Sequence, residues 1–321
     1  MSNAQAWLLV LLACAAFALY FAAALFALRA VLGRLAGRPR PAARLLLWTR
    51  RAVWSLAALG ILCLLYARFV EPRWLEVTHL SIPTARLAEG SAPVRIALVS
   101  DLHTERFPRL EPRVAAAVER SRPDLILYAG DSLNAAEGLP IFRQLMARMA
   151  AVAPTFAVRG NWDGLFHADL FGGTGVRELK GGGAEVQVRG ARLWIGGVPV
   201  GSPAAPDRLL ATAPPRVIRI LLCHWPDEIT AVRPGTCDLC CAGHTHGGQI
   251  ALPCYGALLK FPPEGPHYER GLYRVKGTPL VVTRGIGMEG GPVIRVRFCA
   301  RPEVSIIDLV PEPPRISADF P

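Results

Sequence analysis

Seven side chains of metal-ligating type recur along this 321-residue chain, most of them just past an apolar run of strand length. "VRIALVS" leads into "DLH", which sets Asp101 and His103 two residues apart, so an extended backbone turns both to one face. "DLILYAG" ends at Asp131 and "TFAVRG" at Asn161, each behind a glycine, Gly130 or Gly160, that permits a tight loop. "VIRILLC" hands over to His224, and "CDLCCAG" to His244 and His246 inside "GHTHGGQ". Taken singly, most of these loops read as turn chemistry, because Asp and Asn after Gly are ordinary turn formers. The paired imidazoles of H-T-H point to a metal unaided. Together the seven groups form a donor set of hard oxygens and imidazoles, which suits Mn, Fe or Zn.

Such groups converge only if the strands bearing them lie side by side with their ends aligned, as they do where ligands bind in α/β sheets. Helical patterns separate the early strands. "RLEPRVAAAVERS" puts Leu110, Val114 and Val118 on one face, and "PIFRQLMARMAAV" does the same with Ile141, Leu145 and Met149. From about residue 184 short strands dominate, including "ARLWIGGV", and the chain closes with "PVIRVRFCA" and "EVSIIDLV", both expected as strands. A strand-helix half followed by a strand-rich half predicts two packed sheets with helices outside. The domain is expected over residues 75–310, after the half-buried strand pattern in "EPRWLEVTHLSIPT", with residues 311–321 as a loose tail.

The loops "SDLH", "GD", "GNWD", "CHWPD" and "GHTHGGQ" in this order closely resemble the signature of the calcineurin-like metallophosphoesterase superfamily. The resemblance spans about residues 76–310 and implies an α/β fold, a four-layer αββα β-sandwich. The membrane-type N-terminus and the stretch "RGIGMEGGPVIRVRFCARPEVSIIDL" are similar to a bacterial membrane-associated branch. By motif, the family assigns Asp101, His103 and His246 to one metal ion, Asn161, His224 and His244 to a second, and Asp131 to both. Two such cations clamp a hydroxide for in-line attack on phosphorus and polarise the phosphoryl oxygens.

One position departs from the pattern. Many members carry a histidine where Trp162 stands, and an indole cannot give a proton to a leaving group. That substitution favours leaving groups stable as anions, hence phosphodiesters and pyrophosphates over alkyl monoesters. Asp163 and His167 are candidate replacement acids, although an ordinary loop carboxylate and a surface imidazole are the plainer readings. Trp162, Arg159 and Arg284 are candidates for substrate contact, the arginines through bidentate bonds to phosphate. His79 and His267 lie outside every motif and are expected to be structural.

Residues 1–74 read as a membrane anchor, with spans at about 7–30 and 52–70. The first apolar run exceeds the core of a cleaved signal and no basic residue precedes it. "TRRAVWSL" carries the arginine pair of an export signal, but it is internal. The loop between the spans holds Arg34, Arg38, Arg40, Arg44, Arg50 and Arg51 and no acidic residue, which predicts a cytoplasmic loop and an extracytoplasmic domain in a bacterial inner membrane. These arginines account for much of the net charge of +11, and no dense basic patch remains to suggest nucleic acid. Cys223, Cys237, Cys240, Cys241, Cys254 and Cys299 are expected as buried thiols, a disulfide among them being the alternative for an exported domain. The expected partners are a phosphoester or pyrophosphate substrate, lipid-linked or from the envelope, and the bilayer itself. Two other readings differ: a cytoplasmic-side pyrophosphatase acting on UDP-2,3-diacylglucosamine, and a metal-binding membrane scaffold without catalysis.

Overall fold

The computed structural model describes residues 3–37, 44–166, 168–202, 204–258, 268–290 and 295–312. His167, His267, Arg38, Arg40, residues 292–294 of the expected strand at 292–300 and the tail beyond residue 312 fall outside these. Two long helices come first, α1 (Asn3–Leu35) and α2 (Arg44–Leu65). Apolar stretches long enough to cross a membrane run from Val10 to Leu35 and from Arg44 to Arg73. Helix α1 extends past the expected span at both ends, whereas α2 starts earlier, at Arg44, and ends at Leu65, before the expected limit at 70. Arginine is a good helix former whose long stem can reach out of an apolar layer, which suits the early start of α2.

A short irregular turn at Tyr66–Val70 and a 3-10 turn at Glu71–Arg73 join α2 to β1 (Glu76–Thr84). Next come β2 (Val94–Val99), α3 (Glu111–Ser121), β3 (Leu125–Tyr128), α4 (Leu139–Val152), β4 (Thr155–Ala157) and β5 (Arg177–Glu178). The second half holds β6 (Gly183–Val188), β7 (Ala191–Val198), α5 (Pro206–Ala211), β8 (Ile218–Cys223) and β9 (Leu239–Ala242). The hairpin β10 (Ala251–Leu252) and β11 (Gly256–Ala257), then β12 (Gly271–Val275), β13 (Thr278–Val282) and β14 (Glu303–Pro311), complete it.

One six-stranded sheet has the order β1-β14-β2-β3-β4-β5 and the other β12-β13-β9-β8-β7-β6. Alternation along each strand explains the stacking. Ile96 and Leu98 of β2, Leu125 and Leu127 of β3, Ile220 and Leu222 of β8 and Cys241 of β9 meet in the core between the sheets. Their neighbours Ala97, Val99, Ile126 and Tyr128 face the other way, against Val114 and Val118 of α3 and Phe142, Leu145 and Met149 of α4. Leu221, Cys223 and Cys240 pack outward against Leu209 and Leu210 of α5. These are the four layers, helix, sheet, sheet, helix, and each buried Leu, Ile or Phe contributes roughly 1.5–3 kcal/mol.

Strands β2, β3 and β4 are mutually parallel, as are β7, β8 and β9, so the loops after β2, β3, β4, β8 and β9 leave at carboxyl ends. Part of "PVIRVRFCA" departs from expectation: among its described residues only Phe298 makes a strand-type bridge, to Ile250. Its backbone is drawn to other partners. Arg297 N–H donates to Ala67 O at 3.0 Å, and Cys299 and Ala300 N–H donate to the buried Glu71 carboxylate at 3.0 and 2.5 Å. The Tyr66 ring meets Phe298 edge-on at 6.2 Å, so the chain just after α2 is docked on this segment. Cys223, Cys237, Cys240 and Cys241 are buried free thiols as expected, whereas Cys254 is exposed and Cys299 half-buried.

Candidate metal centre

All seven expected ligand residues meet in one place. Asp101, His103 and His246 bring one donor atom each within 4.8 Å of one another, and Asp131, His224 and His244 form a second such group. Asp131 joins the groups, since its Oδ2 lies 3.4 Å from His224 Nε2 and 3.7 Å from His103 Nε2. Asn161 Oδ1 stands 2.9 Å from His224 Nε2, on the side of the second group.

The ring orientations fit cation binding. His103 Nδ1 faces Asn134 Oδ1 at 2.9 Å and His224 Nδ1 faces the Ala129 carbonyl at 2.6 Å, and both partners can only accept. Each Nδ1 therefore carries hydrogen, which leaves each Nε2 turned inward toward the centre. His103 and His246 bring their Nε2 atoms within 3.2 Å of each other. The backbone is left-handed at five of the same positions: Asp101, His103, Asp131, His244 and His246 have φ of 52°, 43°, 58°, 73° and 51°. Non-glycine residues in this region cost about 1–3 kcal/mol each and persist where the surroundings over-determine them.

Burial sets the electrostatics. It pushes His103 and His244 down to about 4 and His246 well below its ordinary value, which keeps these rings neutral. Burial also pulls His224 down, but the facing Asp131 carboxylate outweighs it and lifts the ring to about 9. Asp131 in turn is held below its usual value by His224 and His103 despite its burial. One proton thus belongs to the His224–Asp131 pair, which a cation would replace. Burial raises Asp101 to about 7.

The supporting residues are where sequence reasoning fell short. Asp163 is fully buried, and its carboxylate accepts from Asp131 N–H at 3.0 Å, Ser132 N–H at 2.8 Å and Gly160 N–H at 2.9 Å. It braces two ligand loops and is no free acid. The clue was its place in "GNWD", two residues past a ligand in a glycine-bracketed turn. Arg297 is fully buried and donates to the carbonyls of Arg284, Gly285, Gly287 and Ala300, with Nη2 3.3 Å from His246 Nδ1. No sequence signal marked it, because all its partners come from tertiary structure.

The two arginines expected at the substrate have partners within the fold. Arg159 is paired with Glu178 at 2.6 Å and donates to Ala168 O, and Arg284 is clamped between Glu303 at 2.8 Å and Glu76 at 2.6 Å. Both guanidiniums hold strands and loops together. His79 is exposed on β1. Trp162 does lie over the centre: its N–H donates to Asp131 Oδ1 at 2.9 Å, and its ring meets His103 edge-on at 5.4 Å.

Residues 94–248 match the family described as calcineurin-like phosphoesterase. The chain is 30% identical to an uncharacterized metallophosphoesterase, YkuE of Bacillus subtilis, over 76% of this chain and 88% of that protein. This chain belongs to the calcineurin-like phosphoesterases. It is also 32% identical to phosphodiesterase YaeI of Escherichia coli over 76% of this chain and 92% of that protein. Similarity to the UDP-2,3-diacylglucosamine pyrophosphatase LpxG of Chlamydia trachomatis is 32% identity but covers 34% of each chain. As a member of this family the protein is a metal-dependent phosphohydrolase, and the reading of a scaffold without catalysis falls away.

Proposed function

We propose that this phosphoesterase is anchored in a membrane by α1 and α2 and hydrolyses a phosphodiester or pyrophosphate bond, in a lipid-linked or envelope substrate, with two bound metal ions. The observation that carries the reading is the position of Asp131 Oδ2 between His224 Nε2 and His103 Nε2, at 3.4 and 3.7 Å. Asp101, His103 and His246 would hold one ion, Asn161, His224 and His244 the other, and Asp131 both. A metal pair of this kind supplies a nucleophile at neutral pH and neutralises charge building on the phosphoryl oxygens. Asp131 is kept in register by the Trp162 and Asp163 bonds, so its free oxygen points at the centre. Trp162 excludes water from one side and offers an apolar wall to the substrate.

The lipid-linked substrate is supported by the two apolar helices and by the docking of the chain after α2 on the segment at 297–300. The arginines around the first turn favour an extracytoplasmic domain. The partial likeness to LpxG keeps a second reading in view, a nucleotide-lipid pyrophosphatase, which requires the cytoplasmic side. Protease accessibility in spheroplasts separates the two orientations. For the chemistry, the full chain in detergent should hydrolyse bis(4-nitrophenyl) phosphate when given Mn, and Asp131→Asn should abolish this; activity that survives in the variant would refute the bridging role.

A further inference from the structure

Replacement of the expected histidine by Trp162 leaves the leaving group without its customary acid, and the same residue leads to a substitute. The indole Nε1–H donates to Glu289 Oε1 at 2.6 Å. Trp162 itself is tied through its backbone to Asp131 and through its ring to His103, so Glu289 sits one indole away from the metal-type ligands.

The main chain at Glu289 is fixed on both sides by residues of the site motifs. Gln249, the last residue of "GHTHGGQ", accepts from Glu289 N–H at 2.8 Å and donates to Glu289 O at 2.9 Å. Asn134, which orients His103, donates to Met288 O at 3.0 Å. Gly287 N–H reaches Asp101 O at 2.5 Å. A half-buried loop carboxyl held this firmly by ligand loops is placed as functional groups are, on a supported scaffold. The other acids near the centre are committed: Asp101 accepts from His244 N–H at 3.0 Å within the first ligand group, Asp131 faces two imidazoles, and Asp163 accepts three N–H bonds.

We propose that Glu289 is the proton donor to the leaving group, positioned by the indole of Trp162; this rests on the phosphoester hydrolysis proposed above. Glu289 Oε1 is occupied by the indole N–H, which leaves Oε2 to carry the proton. As hydroxide oxygen bonds to phosphorus, the opposite P–O bond breaks with its electron pair going to the leaving oxygen. That oxygen takes the proton from Oε2. The carboxylate left behind is stabilised by the indole N–H, and it regains a proton from solvent, equal to the one the attacking water gave up. Burial and the nearby Asp131 raise the Glu289 carboxyl, while the Trp162 bond and His224 lower it, with the net shift upward. Such a shift keeps a proton available closer to neutral pH.

The test is a series of methyl aryl phosphate diesters, from 4-nitrophenyl to unsubstituted phenyl, hydrolysed by the full chain with Mn. Glu289→Gln can still accept the indole bond but has no acidic proton. Its deficit relative to wild type should grow as the leaving phenol becomes more basic, reaching about a hundredfold or more in kcat at the phenyl end. Trp162→Phe, which releases Glu289 from its donor, should show the same trend to a smaller degree. Equal slowing across the series, or none, with both variants folded by thermal melting, overturns the role of Glu289 and leaves the hydrolase reading intact. A wild-type protein inert toward the whole series would instead sink the phosphodiester reading, and this inference with it.

Discussion

Asp163 tests whether the ligand loops are held by one buried carboxylate. In Asp163→Asn the amide oxygen can replace Oδ2 and keep the N–H groups of Asp131 and Gly160 at 3.0 and 2.9 Å, but the amide nitrogen then confronts Ser132 N–H. A buried donor left unpaired costs about 1–3 kcal/mol, and the two surviving bonds drop from the charged to the neutral class, about 1 kcal/mol each. Against this, burial raises the Asp163 carboxyl, so removing the charge returns part of the loss. The net destabilisation should be about 2–4 kcal/mol, well inside a typical domain stability of roughly 5–15 kcal/mol. The full chain in detergent should still fold and melt roughly 5–15 °C lower, read by intrinsic tryptophan fluorescence. Added Mn should recover part of the shift, because ligands that bind only the native state stabilise it. A variant within about 0.5 kcal/mol of wild type, the range of ordinary surface changes, would refute the bracing role.

Arg284→Ala should cost about 3–5 kcal/mol, because it strands the buried Glu303 without its cation, yet leave KM unchanged; a raised KM with a normal melting curve would restore Arg284 as a substrate contact. Gly160→Ala would drive a Cβ into Asp131 Oδ1, and a displacement of that size should lower kcat about a hundredfold, with crystallography or metal titration showing a displaced Asp131. His224 rises from 6.5 to about 9 in the metal-free protein, so its pairing with Asp131 stabilises the fold fully below pH 6.5 and is lost as pH rises through about 9. Metal uptake at pH 8 must therefore expel that proton, and calorimetry in two buffers of different ionisation enthalpy should detect the release; no buffer dependence would refute it.

The donor set was legible in sequence because the seven ligands follow five apolar runs, whose parallel pairing within each sheet aligns the loops at one edge before the sheets stack. Trp162 was legible as a misfit for the same reason. What supports the ligands was not legible. Asn134 and Met288, or Gln249 and Glu289, are far apart in the chain and meet only once the two sheets stack. The segment at 295–300 misled because alternating apolar residues predict a strand, whereas the Arg297 side chain turns into the ligand loops, Arg297 N–H donates to Ala67 O and Phe298 N–H donates to Gln249 O. Parallel pairing of β1 with β14, across most of the domain, is equally non-local.

The contact between Glu71 and the N–H groups of Cys299 and Ala300 changes how the enzyme can be made soluble. Removal of everything before residue 75 would take away the acceptor at Ala67 and the carboxylate at Glu71, and so free the backbone whose Arg297 side chain steadies His246 and the 284–287 loop. A chain starting near residue 66 would retain both. Truncation here is therefore a choice about the geometry around His246 as well as about the two apolar helices, and an inactive fragment would report a loosened keystone before it reported the loss of those helices.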